Sequence, residues 1–254
     1  MSTRITTCFA KAKAEGRGAF VAYLTMGAPT PAASEAAVDA LVAGGADIIE
    51  LGVPFSDPFA DGAVIRSAAY TALAQGVSLD DVLVMARRLR AKHPETAFVL
   101  FSYYNPIFSM GLETFAHRAV DAGIDAVLVV DLPLEERAEL LDVLKPHGIA
   151  YVPLIAPNTP MTRVIESAAG LENTFLYVIT VKGVTGARTE LPPDLATRLD
   201  TIRHAVDLPV AAGFGISTRE QAEMVSRHAD GFIVGSALVR RLCDEGRLVP
   251  PLLP

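Results

Sequence analysis

The sequence predicts an α/β chain folded as one (β/α)8 (TIM) barrel, and three observations predict it: eight short apolar runs, helical segments between them, and a length of 254 residues. The runs are nearly continuous in hydrophobicity instead of alternating, as expected of strands covered on both faces in a parallel sheet. Strict alternation of such strands with helices, in a chain of this size, is what barrel closure requires. A doubly wound open sheet uses fewer strands and carries a Gly-rich turn after its first. The stretch Tyr23-Leu24-Thr25-Met26-Gly27 is not that turn.

The chain opens on MSTRITTCFAKAKAEGRGAF, a polar stretch read as a short N-terminal helix. It lacks the apolar core of about 7–15 residues that a secretion signal needs. The first strand is AFVAYLT (19–25), followed by a helix over Ser34–Ala43 and the strand DIIELGV (47–53). A helix over Asp80–Lys92 leads to AFVLFSY (97–103), and one over Leu112–Ala122 leads to AVLVVDL (126–132). A helix over Glu135–Lys145 precedes AYVPLIA (150–156), after which come FLYVITV (175–181) and PVAAGFG (209–215). The helix Arg219–Arg227 and the strand GFIVGSA (231–237) close the series. Several helices end on glycine just before the next strand, as in Gly44-Gly45-Ala46-Asp47, Ala122-Gly123-Ile124-Asp125 and His147-Gly148-Ile149. Glycine there supplies a left-handed cap and a tight turn into the sheet. No low-complexity linker interrupts the chain, so residues 1–254 are read as a single barrel domain.

Composition narrows the function. A 20% charged fraction and a net charge of −7 give no basic field to gather nucleic acid or anionic lipid. No apolar run reaches the length of about 18 residues needed to span a membrane. Two cysteines, Cys8 and Cys243, are too far apart to form a metal knuckle or a redox pair, which fits a reducing, cytoplasmic setting. The histidines, at 93, 117, 147, 204 and 228, fall in helices or in turns leading into strands, and are read as solvated helix-end residues. No metal site is expected from them.

In a barrel, chemistry belongs at the C-terminal ends of the strands and in the loops that follow. Glu50 sits among apolar neighbours in Ile48-Ile49-Glu50-Leu51-Gly52, where burial raises a carboxyl pKa toward the range useful for proton transfer. Its plainer reading is a buried carboxylate satisfied by backbone donors or a cation. The loop after it carries Asp57 and Asp61, either of which can cap a turn with Pro58 or Gly62, and spacing alone does not separate them. Glycines signal phosphate: Gly183-Val184-Thr185-Gly186, Gly213-Phe214-Gly215-Ile216-Ser217 and Gly235-Ser236-Ala237 end or follow the sixth, seventh and eighth strands. Together they offer backbone N–H groups, a hydroxyl and a helix N-terminus on adjoining loops. Tyr23, Phe55, Tyr103, Tyr177 and Phe214 fall at or just after strand ends and suit a flat apolar group, although core filling explains such positions as well.

The run from Glu50 to Gly62, Glu-Leu-Gly-Val-Pro-Phe-Ser-Asp-Pro-Phe-Ala-Asp-Gly, resembles the signature of the tryptophan synthase α-subunit family. Tyr103-Tyr104-Asn105-Pro106, Asp131-Leu132-Pro133, Ala156-Pro157 and the three glycine segments resemble it in order and spacing, from about Gly18 to Val239. The resemblance implies cleavage of indole-3-glycerol phosphate to indole and glyceraldehyde 3-phosphate, without a cofactor, with Glu50 and Asp61 as the catalytic carboxylates. It implies an indole slot lined by Tyr23, Leu128, Tyr177 and Phe214, with Tyr103 and Thr185 also at the substrate, and a phosphate held by Gly186, Gly215, Gly235 and Ser236. It also implies a pyridoxal-phosphate β subunit as partner in an α2β2 complex. Departures lie in loops and surfaces the family uses toward that partner: Ala22 and Ala28 stand at positions usually Pro and Asp, Val130 replaces a Pro, Arg66 stands where Gln is common, and the tail is short and proline-broken. A free-standing lyase releasing indole is therefore the alternative. A Schiff-base aldolase using Lys182 is another, weakened because a Gly-rich loop gives little of the desolvation that lowers a lysine pKa.

Overall fold

The structure, a computed structural model, describes residues 4–180, 194–213, 215–249 and 252. Helix α1 (Arg4–Ala14) leads into β1 (Ala19–Thr25), α2 (Pro31–Ala43), β2 (Ile48–Gly52), α3 (Ala63–Ala74), α4 (Leu79–Lys92) and β3 (Ala97–Ser102). There follow α5 (Tyr104–Met110), α6 (Leu112–Asp121), β4 (Ala126–Val129), α7 (Ala138–Leu144) with a 3-10 turn over Lys145–His147, β5 (Ala150–Tyr151) and β6 (Leu154–Ile155). The last part is α8 (Met161–Ala168), β7 (Leu176–Ile179), α9 (Leu195–Ala205), β8 (Val210–Gly213), α10 (Arg219–His228), β9 (Gly231–Val234) and α11 (Ser236–Glu245).

All pairings in the sheet are parallel, in the order β5-β4-β3-β2-β1-β9-β8-β7-β6. The fifth strand of the sequence reading, 150–156, divides in two at Val152-Pro153, which is why nine strands replace eight. Its first half pairs only with β4 and its second only with β7. Val152 N–H donates to Val127 O at 2.9 Å on one side, and Pro153 O accepts from Tyr177 N–H at 3.0 Å on the other. The two ends of the ladder are thus consecutive pieces of one strand, and the sheet closes on itself there. Four other expected strands stop two or three residues early, at Val129, Ile179, Gly213 and Val234, where the chain turns into the loops of the barrel mouth. Helix α7 starts at Ala138 instead of Glu135, because Pro133 first makes a turn in which its carbonyl accepts Glu136 N–H.

At the opposite face an aspartate at the entry to a strand accepts the amide of the neighbouring strand and an arginine. Asp47 takes Phe20 N–H at 2.8 Å and two Arg17 nitrogens at 2.6 and 2.8 Å. Asp125 takes Phe98 N–H at 2.8 Å together with Arg90 and Arg4. Asp230 takes Val210 N–H at 2.9 Å and pairs with Arg203. Each fixes strand register, since a slip by one residue would break the side-chain bond along with the ladder. Helix α1 covers this end, with Phe9 against Phe175 at 5.5 Å.

Candidate active site

Pairing places Glu50 of β2 between Tyr23 of β1 and Val99 of β3. The Glu50 side chain is 0% exposed, and neither carboxylate oxygen has a hydrogen-bond partner among the described residues. With nothing to offset the loss of water, burial pushes its carboxyl up to about 8. Among the described residues no backbone donor or cation satisfies Glu50, as its plainer reading requires. Leaving a polar group bare in a core destabilises a fold, so an orphan of this kind calls for a role.

The loop after β2 is built around Tyr103, the residue that follows β3. Its hydroxyl accepts Ala60 N–H at 3.1 Å and donates to Asp61 Oδ2 at 3.0 Å. Its ring stacks on Phe55 at 4.8 Å and meets Phe59 edge-on at 5.5 Å. This packing separates the two loop carboxylates. Asp57 is exposed, and its carbonyl closes a turn by accepting Phe59 N–H at 2.9 Å. Asp61 is only 7% exposed. Burial pushes the Asp61 carboxyl up to about 6, while the Tyr103 hydroxyl and the Arg66 charge pull it back down. At neutral pH the Glu50 carboxyl consequently favours its neutral form and Asp61 its anion. Environments that push two titratable groups apart in this way assign acid and base roles.

Register places Tyr23 beside Glu50, Leu128 beside Phe101 and Tyr177 beside Leu154. Tyr23 meets the edge of Phe101 at 5.0 Å across the interior. Both Tyr23 and Tyr177 are buried, and their hydroxyls are pushed well up, first by desolvation and further by the charges of Glu50 and Asp61 nearby. Two glycines make room for them: a Cβ on Gly52 would lie 2.4 Å from the Tyr23 hydroxyl, and one on Gly213 would lie 2.6 Å from that of Tyr177. A cavity of about 660 Å³, within the usual range for small-molecule sites, is lined by Asp61, Phe101, Val129, Leu154 and Ile179 among others, while Glu50, Tyr23, Leu128 and Tyr177 are not part of its lining. Phe101 is the residue sequence reasoning missed. Its position two residues before Tyr103, on the same face of the strand, was the available signal.

β8 and β9 pair in parallel, so the segments that follow them, with Gly215 after one and Gly235 and Ser236 after the other, start from the same end of neighbouring strands. Gly215 has φ of 89°, which favours glycine. Helix α11 begins at Ser236 with no side chain capping it, so its first amides are open toward an anion. Asp131 of the Asp-Leu-Pro segment accepts Tyr104 N–H at 2.7 Å, which ties the loop after β4 to the start of α5. The readings of Thr185, Gly186, Phe214 and Lys182 lie outside the described residues.

A family profile described as "Tryptophan synthase alpha chain" matches residues 9–248. A protein of that name from Citrifermentans bemidjiense is 48% identical over 238 residues, covering 94% of this chain and 88% of its own. The crystal structure of tryptophan synthase subunit alpha from Legionella pneumophila is 35% identical with a TM-score of 0.87, covering 99% of this chain and 94% of its own. A chain in the tryptophan synthase complex from Pyrococcus furiosus is also 35% identical, with a TM-score of 0.83 and coverage of 91% and 92%. Barrel, paired carboxyls and relatives agree over nearly the whole length, and the chain belongs to the tryptophan synthase alpha chain family.

Proposed function

We propose that the chain cleaves indole-3-glycerol phosphate to indole and glyceraldehyde 3-phosphate, as the α subunit of tryptophan synthase, with Glu50 and Asp61 as its catalytic residues. The observation that carries this reading is the bare, buried Glu50 carboxyl, pushed up to about 8, whose charge and that of Asp61, pushed up only to about 6, reach the same two tyrosines, Tyr23 and Tyr177. Glu50 gives its proton to C3 of the indole, which makes an indolenine whose positive charge rests on the ring nitrogen. Asp61 accepts the N–H there and stabilises that charge. The Glu50 carboxylate then takes the proton of the hydroxyl next to the breaking bond. The C3 bond to the glycerol chain breaks, its electrons restore the indole ring, the chain leaves as the aldehyde, and Glu50 is again protonated. Tyr23, Leu128 and Tyr177 line the indole slot, Tyr103 holds Asp61 in place, and Gly215, Gly235 and Ser236 hold the phosphate.

Replacing Tyr103 with Phe removes a donor that favours the Asp61 anion, so the pKa of Asp61 rises. The acidic limb of kcat/KM, near pH 6 in the native enzyme, should move to higher pH, with a loss of about tenfold at neutral pH. An unmoved limb in a pH–rate series would show that Tyr103 only packs.

A β subunit is proposed as the partner. Phe59 is 65% exposed and Phe108 58%, both on segments at the barrel mouth, where apolar exposure marks an interaction face. Phe59 touches Tyr103, which in turn holds Asp61, so a partner seated on Phe59 presses on the catalytic loop. Adding β subunit to the purified chain should raise indole release about 5- to 150-fold, the range of ordinary coupling energies. A flat titration from an already high rate would indicate the free-standing lyase. No helix among the described residues is long and apolar enough to cross a membrane.

A further inference from the structure

The five histidines, read from sequence as solvated helix ends, do not all behave alike. His204 caps its own helix by bonding Asp200 O, while His93 and His228 lie beside the carboxylates of Asp39 and Asp200. His117 and His147, 30 positions apart, come together on the outer wall of the barrel, rings edge to face at 4.6 Å. Glu113 lies one turn before His117 on the same face of α6. One ligating atom from each of the three lies within 4.8 Å of the others.

From this geometry we infer that Glu113, His117 and His147 bind a divalent transition-metal ion of the zinc class. His147 is already oriented for it. Its Nδ1 lies 3.0 Å from Val143 O, and a hydrogen bond from Nδ1 to that carbonyl leaves Nε2 as the free ligand, the outer bond metal-binding histidines ordinarily make. Tetrahedral coordination with bonds of about 2.0–2.1 Å sets ligand atoms about 3.3 Å apart, so the cluster must close by about 1.5 Å at most. Glu113 and His117 are exposed and free to turn inward by that amount. Two imidazoles and one carboxylate select zinc, nickel or copper over calcium and magnesium, which prefer all-oxygen sites. Water completes the fourth position.

The site stands on the outside of the barrel, away from Glu50 and Asp61, and its consequence is structural. The ion braces α6 against the 3-10 turn Lys145–His147, just before β5.

Titration of the full, untagged chain with Zn²⁺ and Co²⁺ tests this. One equivalent should bind and raise the melting temperature. His117→Ala and His147→Gln should each weaken binding at least tenfold while circular dichroism stays native, and Asp39→Asn should not. Bound Co²⁺ should show weak visible bands without a sulfur charge-transfer band, which excludes Cys8 and Cys243. No saturable binding, or binding unchanged in both histidine variants, overturns the inference. Should a variant not fold, Zn²⁺ protection of His117 from diethyl pyrocarbonate in the native chain decides: protection supports the site, and equal modification with and without Zn²⁺ overturns it.

Discussion

Glu50→Gln should lower turnover of indole-3-glycerol phosphate by about 10²- to 10⁴-fold, the usual contribution of a positioned general acid, while ligand binding changes little. The amide keeps the shape of the side chain but has no proton to give to C3. In the native enzyme the basic limb of kcat/KM should lie near pH 8, where the carboxyl ionises and the donor is lost. The same substitution has a stability signature of definite sign. A buried carboxyl whose pKa is raised from 4.5 to about 8 favours its neutral form, so the folded state binds more protons than the unfolded chain between those values. The stability it permits is fully present below about pH 4.5 and is lost as pH rises through about 8. Glu50→Gln removes that loss, and its melting temperature should gain on the native protein between pH 5 and pH 9. Turnover within tenfold of native would remove Glu50 as the acid, and a constant gap in melting temperature would show that the carboxyl is hydrated.

Asp61→Asn should cost about 2–3 kcal/mol of transition-state stabilisation, roughly 30- to 150-fold in kcat. The amide oxygen can still accept the indole N–H, but the negative charge that meets the developing positive charge is gone. The loss should therefore fall on kcat and not on KM. Because Asp61 must be an anion, the native acidic limb near pH 6 should vanish in this variant. An Asn variant with native kcat would reduce Asp61 to a turn residue.

The strands were legible because barrel strands are buried on both faces, and Ala97–Ser102 reads as a plain apolar run. The seam at Pro153 was not, since hydrophobicity says nothing of where a strand changes partners. Glu50 stood out as a charge in an apolar strand. Asp61 could not be told from Asp57, because the difference is made by Tyr103, 42 residues further along the chain. The pairing of His117 with His147 has the same origin: both sit in ordinary helical surroundings, and only the packing of α6 against the turn after α7 brings them together.

The division of the fifth strand gives the barrel a direction of compliance. Everywhere else the ring of hydrogen bonds is carried by strands of at least four residues, but at the seam two short pieces share the work around a proline that donates nothing. Amide hydrogens bordering Pro153 should accordingly exchange first among those of the sheet, since local opening follows the weakest set of contacts. The cavity beside Asp61 is walled by this stretch, including Tyr151, Pro153 and Leu154. A molecule filling it touches strands on both sides of the gap, so occupancy acts as a cross-link, and slower exchange at residues 150–156 becomes a direct gauge of how full the barrel is.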